Sequence, residues 1–195
     1  MQKLRILTFN WHDPYLHTFA KTGHHIEVCD WMKRADGTTG WDVEKRPIPG
    51  NVTRIPDSAQ ALEKMRGGHV DLIVCHTLQD LTFVSSVELP TVFLSHNALH
   101  NDGLKSLGRM AGIRDEVASF LTERKGVFAA ISRMKLESWS MEGFVVAPGI
   151  DLEDYQGYTG EESVALSVGN LFVERDHMLG YTILREIFDG IPHRI

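Results

Sequence analysis

Apolar residues in this chain gather into short runs separated by stretches with helical spacing. The runs are Leu4 to Phe9, Ile26 to Cys29, Val70 to His76, Thr91 to Ser95, Val127 to Ile131, Phe144 to Ala147 and Val164 to Val168. They are apolar throughout rather than alternating, as strands are when helices cover both faces of a parallel sheet. Between them, the spacing predicts helices over Pro14 to Thr22, Ser58 to Arg66, Ile113 to Arg124, Arg133 to Met141 and Asp176 to Phe188. Asp57 or Ser58 can cap the second of these, and Gly67-Gly68, Gly126 and Asp189-Gly190 stand where helices stop. The expected fold class is α/β with a doubly wound parallel sheet.

Two segments break the rhythm. Trp31 to Pro56 holds scattered glycine and proline, no period, and two tryptophans in polar surroundings. So long a connection inside a compact domain reads as a functional lid or as disorder. Its five basic residues (Lys33, Arg34, Lys45, Arg46, Arg54) exceed its three acidic ones (Asp36, Asp42, Glu44), a local +2. That excess suits an acidic acceptor or peripheral contact with an anionic membrane, the plainer account being a solvated loop. His96 to Gly112, polar and dotted with glycine, is expected to be a second acceptor loop.

A length of 195 residues, 43% of them hydrophobic, allows one full domain and part of another. A net charge of −6 argues against a nucleic-acid partner, which would call for clustered excess Lys and Arg. The start, MQKLRILTF, has too short an apolar run for a secretory signal, and no stretch is long enough to cross a bilayer, so the expected location is the cytoplasm. Cys29 and Cys75 sit inside strand-like runs and read as buried, reduced thiols.

Ligands of open parallel sheets bind beyond the carboxyl ends of the strands. The residues there are Asn10, Trp11, His12 and Asp13, then His76, then His96 and Asn97, then Ser132, all expected on one rim. Imidazoles on such a rim can donate or accept hydrogen bonds and move protons. His12, His76 and His96 are enough imidazoles for zinc, but they lack the spacing of a ligand motif, and no metal is expected.

Several motifs fall in a telling order: LRILTF, KTGHHIEV (Lys21 to Val28), PTVFLSH (Pro90 to His96), AAIS (Ala129 to Ser132), APGIDLEDY (Ala147 to Tyr155) and LSVGN (Leu166 to Asn170). In that order the chain resembles the GT-B glycosyltransferases of the retaining, family-4-like group, whose two Rossmann-like domains are joined by a Pro-x-Gly-[Val/Ile]-Asp linker. The resemblance implies an acceptor-side Rossmann-like domain over 1–147, a linker over 148–163 and the truncated start of a nucleotide-sugar-binding domain over 164–195. It implies transfer of a sugar from a nucleotide diphosphate donor to a hydroxyl acceptor, with no cofactor beyond the donor itself. His96 would face the donor sugar, and His12 or Asp13 would hold a base if the enzyme inverts. Asn10, Trp11, His76, Asn97 and Ser132 would line the substrate site, while Gly169, Asn170 and Arg175 would grip the diphosphate. The chain departs from the pattern in three places. Pro148 is followed directly by Gly149, Asn170 replaces the usual arginine, and Trp11 stands where a glycine pair is common. The family's paired glutamates would lie beyond Ile195, so the chain is expected to be incomplete, or to need a partner subunit, and to be inactive alone. The alternatives are a nucleotide-sugar 2-epimerase of related fold and a catalytically silent partner subunit.

Overall fold

The computed structural model describes residues 2–31, 40–101, 107–150, 152–154, 157, 160–169 and 171–195. The chain divides into two compact units, Met1–Asp151 and Leu152–Ile195.

The first unit is an α/β Rossmann-like sheet of seven parallel strands. They are β1 (Arg5–Phe9), β2 (His25–Cys29), β3 (Val52–Ile55), β4 (Leu72–Cys75), β5 (Thr91–Ser95), β6 (Val127–Ala130) and β7 (Phe144–Val145). Their order across the sheet is β3-β2-β1-β4-β5-β6-β7. β1 is therefore central, with Leu7 in register with Glu27 on one side and Ile73 on the other. The order reverses between β1 and β4, so the loops after these two strands diverge and leave a crevice between them.

The helices are α1 (Asp13–Ala20), α2 (Ser58–Arg66), α3 (Leu78–Phe83), α4 (Leu107–Glu123) and α5 (Arg133–Trp139). Each start has a local cause. Asp57 accepts from the Gln60 N–H at 2.8 Å to cap α2, Thr77 and Asp80 close a capping box on α3, and Ser132 caps α5. Strand side chains alternate between two cores. Leu7, Phe9, Ile73, Cys75, Phe93 and Phe128 face α2 to α5, packing on Met65, Leu81, Val117, Leu121 and Trp139. Ile6, Ile26, Val28, Val74, Leu94 and Ala129 face the other way, toward Leu16 and Ala20 of α1 and toward Trp41. Among the described residues, four helices thus serve one face and a single helix the other.

Three expectations need correction. The segment from Trp31 to Pro56 is not an unstructured connection throughout: its end forms the edge strand β3, and Trp41 is buried with its indole N–H donated to the Arg46 carbonyl. Of its basic residues, Arg54 is paired with Asp30 and Lys45 with Asp42, while Lys33 and Arg34 lie outside the described residues. The expected loop from His96 to Gly112 already turns helical at Leu107, and α3 joins β4 to β5 where no helix was expected.

The second unit pairs β8 (Ala165–Leu166) in parallel with β9 (His193–Arg194) through α6 (Asp176–Leu179) and α7 (Tyr181–Ile187). One expected helix is two, because Gly180 takes φ 66° between them, a left-handed turn that glycine accepts without cost. None of the residues of this unit whose side chains are described is buried. Among the described residues no helix is long and apolar enough to cross a membrane.

Candidate functional site

The crevice between β1 and β4 opens onto a cavity of about 850 Å³ on the α1 side of the first unit. Its floor is Val74, Val92, Leu94 and Ala129, and one wall is Tyr15 and Phe19 of α1. The far rim is the stretch 146–150 that follows β7. Among the described residues of the first unit, α1 is the helix that covers this sheet face, and it leaves the apolar floor beyond β4 uncovered.

At the mouth sits a cluster of rings. Trp11, following β1, packs against His96, following β5, with ring centroids 4.1 Å apart. Tyr15, four residues beyond Trp11, meets His96 edge-on at 4.7 Å, and His12 stacks on Trp11 at 5.2 Å. His76, following β4, lies behind them: its Nδ1 is 3.1 Å from His96 Nε2, and its Nε2 is 2.9 Å from Thr8 Oγ. Its backbone N–H donates to Asp80 Oδ2 at 2.8 Å, which ties the ring's position to the start of α3.

Burial sets the electrostatics. It drives the His76 ring well below the usual histidine range, with the neighbouring His96 adding to the effect. His96 is lowered to about 4, first by burial and then by the nearby charges of Lys135 and His12. Both rings are therefore uncharged at neutral pH. Burial also raises Tyr15 to about 12 and Asp80 to about 6, the latter against the pull of its own hydrogen bonds. The thiols of Cys29 and Cys75 are pushed well up by burial, which leaves them unreactive.

The residues singled out in the sequence separate into three groups. Trp11, His12 and His96 line the cavity, with His76 directly behind. Asn10, Asp13, Asn97 and Ser132 lie near it in sequence but serve the scaffold. Asn10 Nδ2 donates to Asp30 Oδ1 at 2.6 Å, and Asp13 is buried with Oδ2 accepting from the Asp42 N–H at 2.9 Å. The Asn97 carbonyl accepts from Ser95 Oγ and from the Trp139 indole, and Ser132 Oγ accepts from the Lys135 N–H. The remaining three belong to the second unit. Gly169 is exposed there, Arg175 precedes α6 without a side-chain cap bond, and Asn170 is outside the described residues. Among the described residues no group of three or more His, Cys, Asp or Glu is arranged to hold a metal. Sequence reasoning missed Tyr15 and Thr8. Tyr15 had a signal, since it stands four residues after Trp11 at the start of a predicted helix.

No protein-family model matches the chain, and no curated protein matches it significantly. Among solved structures, the chain is similar to the Bordetella bronchiseptica enzyme WbmG in complex with NAD. The TM-score is 0.41 at 13% identity, over 66% of this chain and 52% of that one, so the chain spans about half the length of WbmG. The resemblance to GT-B glycosyltransferases is not upheld: no protein-family model, of that family or another, matches the chain. The departures at Trp11, Pro148-Gly149 and Asn170 are where that pattern fails in the residues themselves. The expectation that no cofactor takes part was drawn from that resemblance and falls with it.

The usual seat of a dinucleotide in a Rossmann sheet is nonetheless closed here. That seat needs a glycine-rich turn after β1 and an acid after β2 that is available to a ribose. The turn is Asn10-Trp11-His12-Asp13-Pro14, with a bulky indole, a buried carboxylate in the first helical turn and a proline that lacks an N–H. The acid after β2 is Asp30, which is buried and bonded to Asn10, to the Trp41 N–H and to Arg54. These residues do not fit a dinucleotide in that place.

Proposed function

We propose that this chain is the ligand-binding part of an enzyme that modifies a nucleotide-linked sugar, of the epimerase type, with the sugar in the cavity beside His96. One observation carries the reading: His96, uncharged and bonded to the uncharged His76 behind it, lines a large, mostly apolar cavity at the switch point of the sheet. Apolar walls and aromatic rings suit the faces of a sugar or a base, and the few polar groups set its orientation.

Epimerisation needs a group that exchanges a proton with the sugar. With a pKa of about 4, His96 is a weak base in the free chain and serves first to orient a hydroxyl. An anionic nucleotide diphosphate entering the cavity favours the imidazolium and lifts that value toward neutrality, where proton exchange is most effective. Tyr15, held protonated at neutral pH, supplies a hydroxyl donor on the same wall.

Incubation with UDP- and GDP-sugars, followed by chromatographic separation of epimers, tests the proposal. An epimer should appear without any acceptor being consumed. His96→Gln should lower turnover by roughly 10²- to 10⁴-fold, the usual contribution of a positioned acid or base. Unchanged turnover in that variant, or no saturable binding of any nucleotide sugar, would remove the reading.

A further inference from the structure

The hydrogen bonds that run inward from the cavity wall can be resolved atom by atom. They end on a group with a single role, because the Val74 carbonyl can only accept. Thr8 Oγ lies 2.9 Å from it and so gives its one proton there. The same oxygen is 2.9 Å from His76 Nε2 and must accept, which puts a hydrogen on that nitrogen. The His76 ring is neutral because it is buried, so its Nδ1 is bare. His96 Nε2, 3.1 Å away, must then be the donor. The neutral His96 ring keeps its lone pair on Nδ1. That atom has no hydrogen bond among the described residues, and it is not one of the buried polar atoms left without a partner. His96 itself forms part of the cavity wall.

We infer that Thr8 and His76 are positioning residues for His96: they fix its ring in the Nε2–H tautomer and present Nδ1 to the cavity as a hydrogen-bond acceptor. Thr8 is fully buried among the apolar Ile6, Leu7 and Phe9 of β1, and no packing requirement explains a hydroxyl there, since valine has nearly the same shape. The groups facing the ring agree with this arrangement. Trp11 and Tyr15 confine it, while Lys135 and His12 disfavour a second proton on it. The consequence for the ligand rests on the reading of the cavity as a sugar site. Nδ1 is the atom that accepts from a hydroxyl of the entering sugar, and the one that takes up the proton once the anionic diphosphate has raised the ring's proton affinity.

The test is a long-range proton–nitrogen correlation spectrum of the whole chain labelled with ¹⁵N-histidine, with His96 identified by its loss in His96→Gln. The expected pattern at neutral pH is a protonated Nε2 and an unprotonated Nδ1. Thr8→Ser should keep that pattern, and Thr8→Val should replace it by an average of both tautomers. A native spectrum showing the Nδ1–H form, or a Thr8→Val spectrum identical to the native one, would overturn the inference. The native spectrum decides the tautomer even if Thr8→Val does not fold. Failure of nucleotide sugars to bind leaves this nitrogen pattern untouched and counts against the sugar site alone.

Discussion

His76 and His96 lose proton affinity when the chain folds, and that gives their burial a pH signature. The folded value of His96 is about 4 against an ordinary 6.5, so between these limits the unfolded chain binds more protons. Stability therefore rises with pH across that window and is lost as pH falls through it; His76 acts in the same direction. Asp80 has the opposite sign. Its folded value of about 6 lies above 3.8, so the folded chain binds the proton more tightly and stability falls as pH rises from about 4 to 6. In His96→Gln the fall in urea midpoint between pH 6.5 and 4 should be shallower than in the native chain. Superimposable profiles would mean that folding does not hold His96 neutral. At this scale the sequence was informative just beyond the strand ends, as at Trp11, His76 and His96. It was silent on Thr8, which reads as an ordinary β-branched strand former until β4 brings His76, 68 residues later, against its hydroxyl. It also could not tell that Asp13 and Asn10 turn away, because their partners Asp42 and Asp30 are supplied by other segments.

Among the elements, those that carry their own punctuation were legible. α2 begins at a capping aspartate, and Asp57→Ala should cost about 1 kcal/mol in urea unfolding, the usual loss for such a cap. The strand β3, with only Val52 and Ile55 buried, offers too short an apolar pattern to stand out from the loop before it. β3 is recognisable only through its pairing with β2, in which Val52 meets Ile26. The edge strand β7 depends on a feature that no periodicity reports. A Cβ on Gly143 would sit 2.4 Å from the Phe128 carbonyl oxygen, so β7 reaches β6 only because that residue has no side chain. Gly143→Ala must push the two strands apart, and we expect a loss of roughly 1–3 kcal/mol, as for other overpacked sites. An unchanged urea midpoint would show that the backbone relaxes around the new methyl group.

In the molecule as a whole, the two units should differ in how firmly they hold together. The first buries two cores on opposite faces of its sheet, whereas the second has no buried residue among those whose side chains are described. Local opening costs little where few apolar contacts are broken. Amide hydrogen exchange should therefore be fast from Ala165 to Arg194 and slowest in β1, β4 and β5; equal protection in both units would contradict this. The parallel fold was readable from apolar runs alone, yet the cavity was not, since it arises from the unequal covering of the two sheet faces. The strand order also bears on how the chain is made. Residues up to Ile55 suffice to assemble β3-β2-β1, so a growing chain can complete that part of the sheet early. The other side of β1 must wait until Leu72–Cys75 has left the ribosome, and through that interval its open hydrogen-bonding edge is the place where a nascent chain would pair wrongly or need a chaperone.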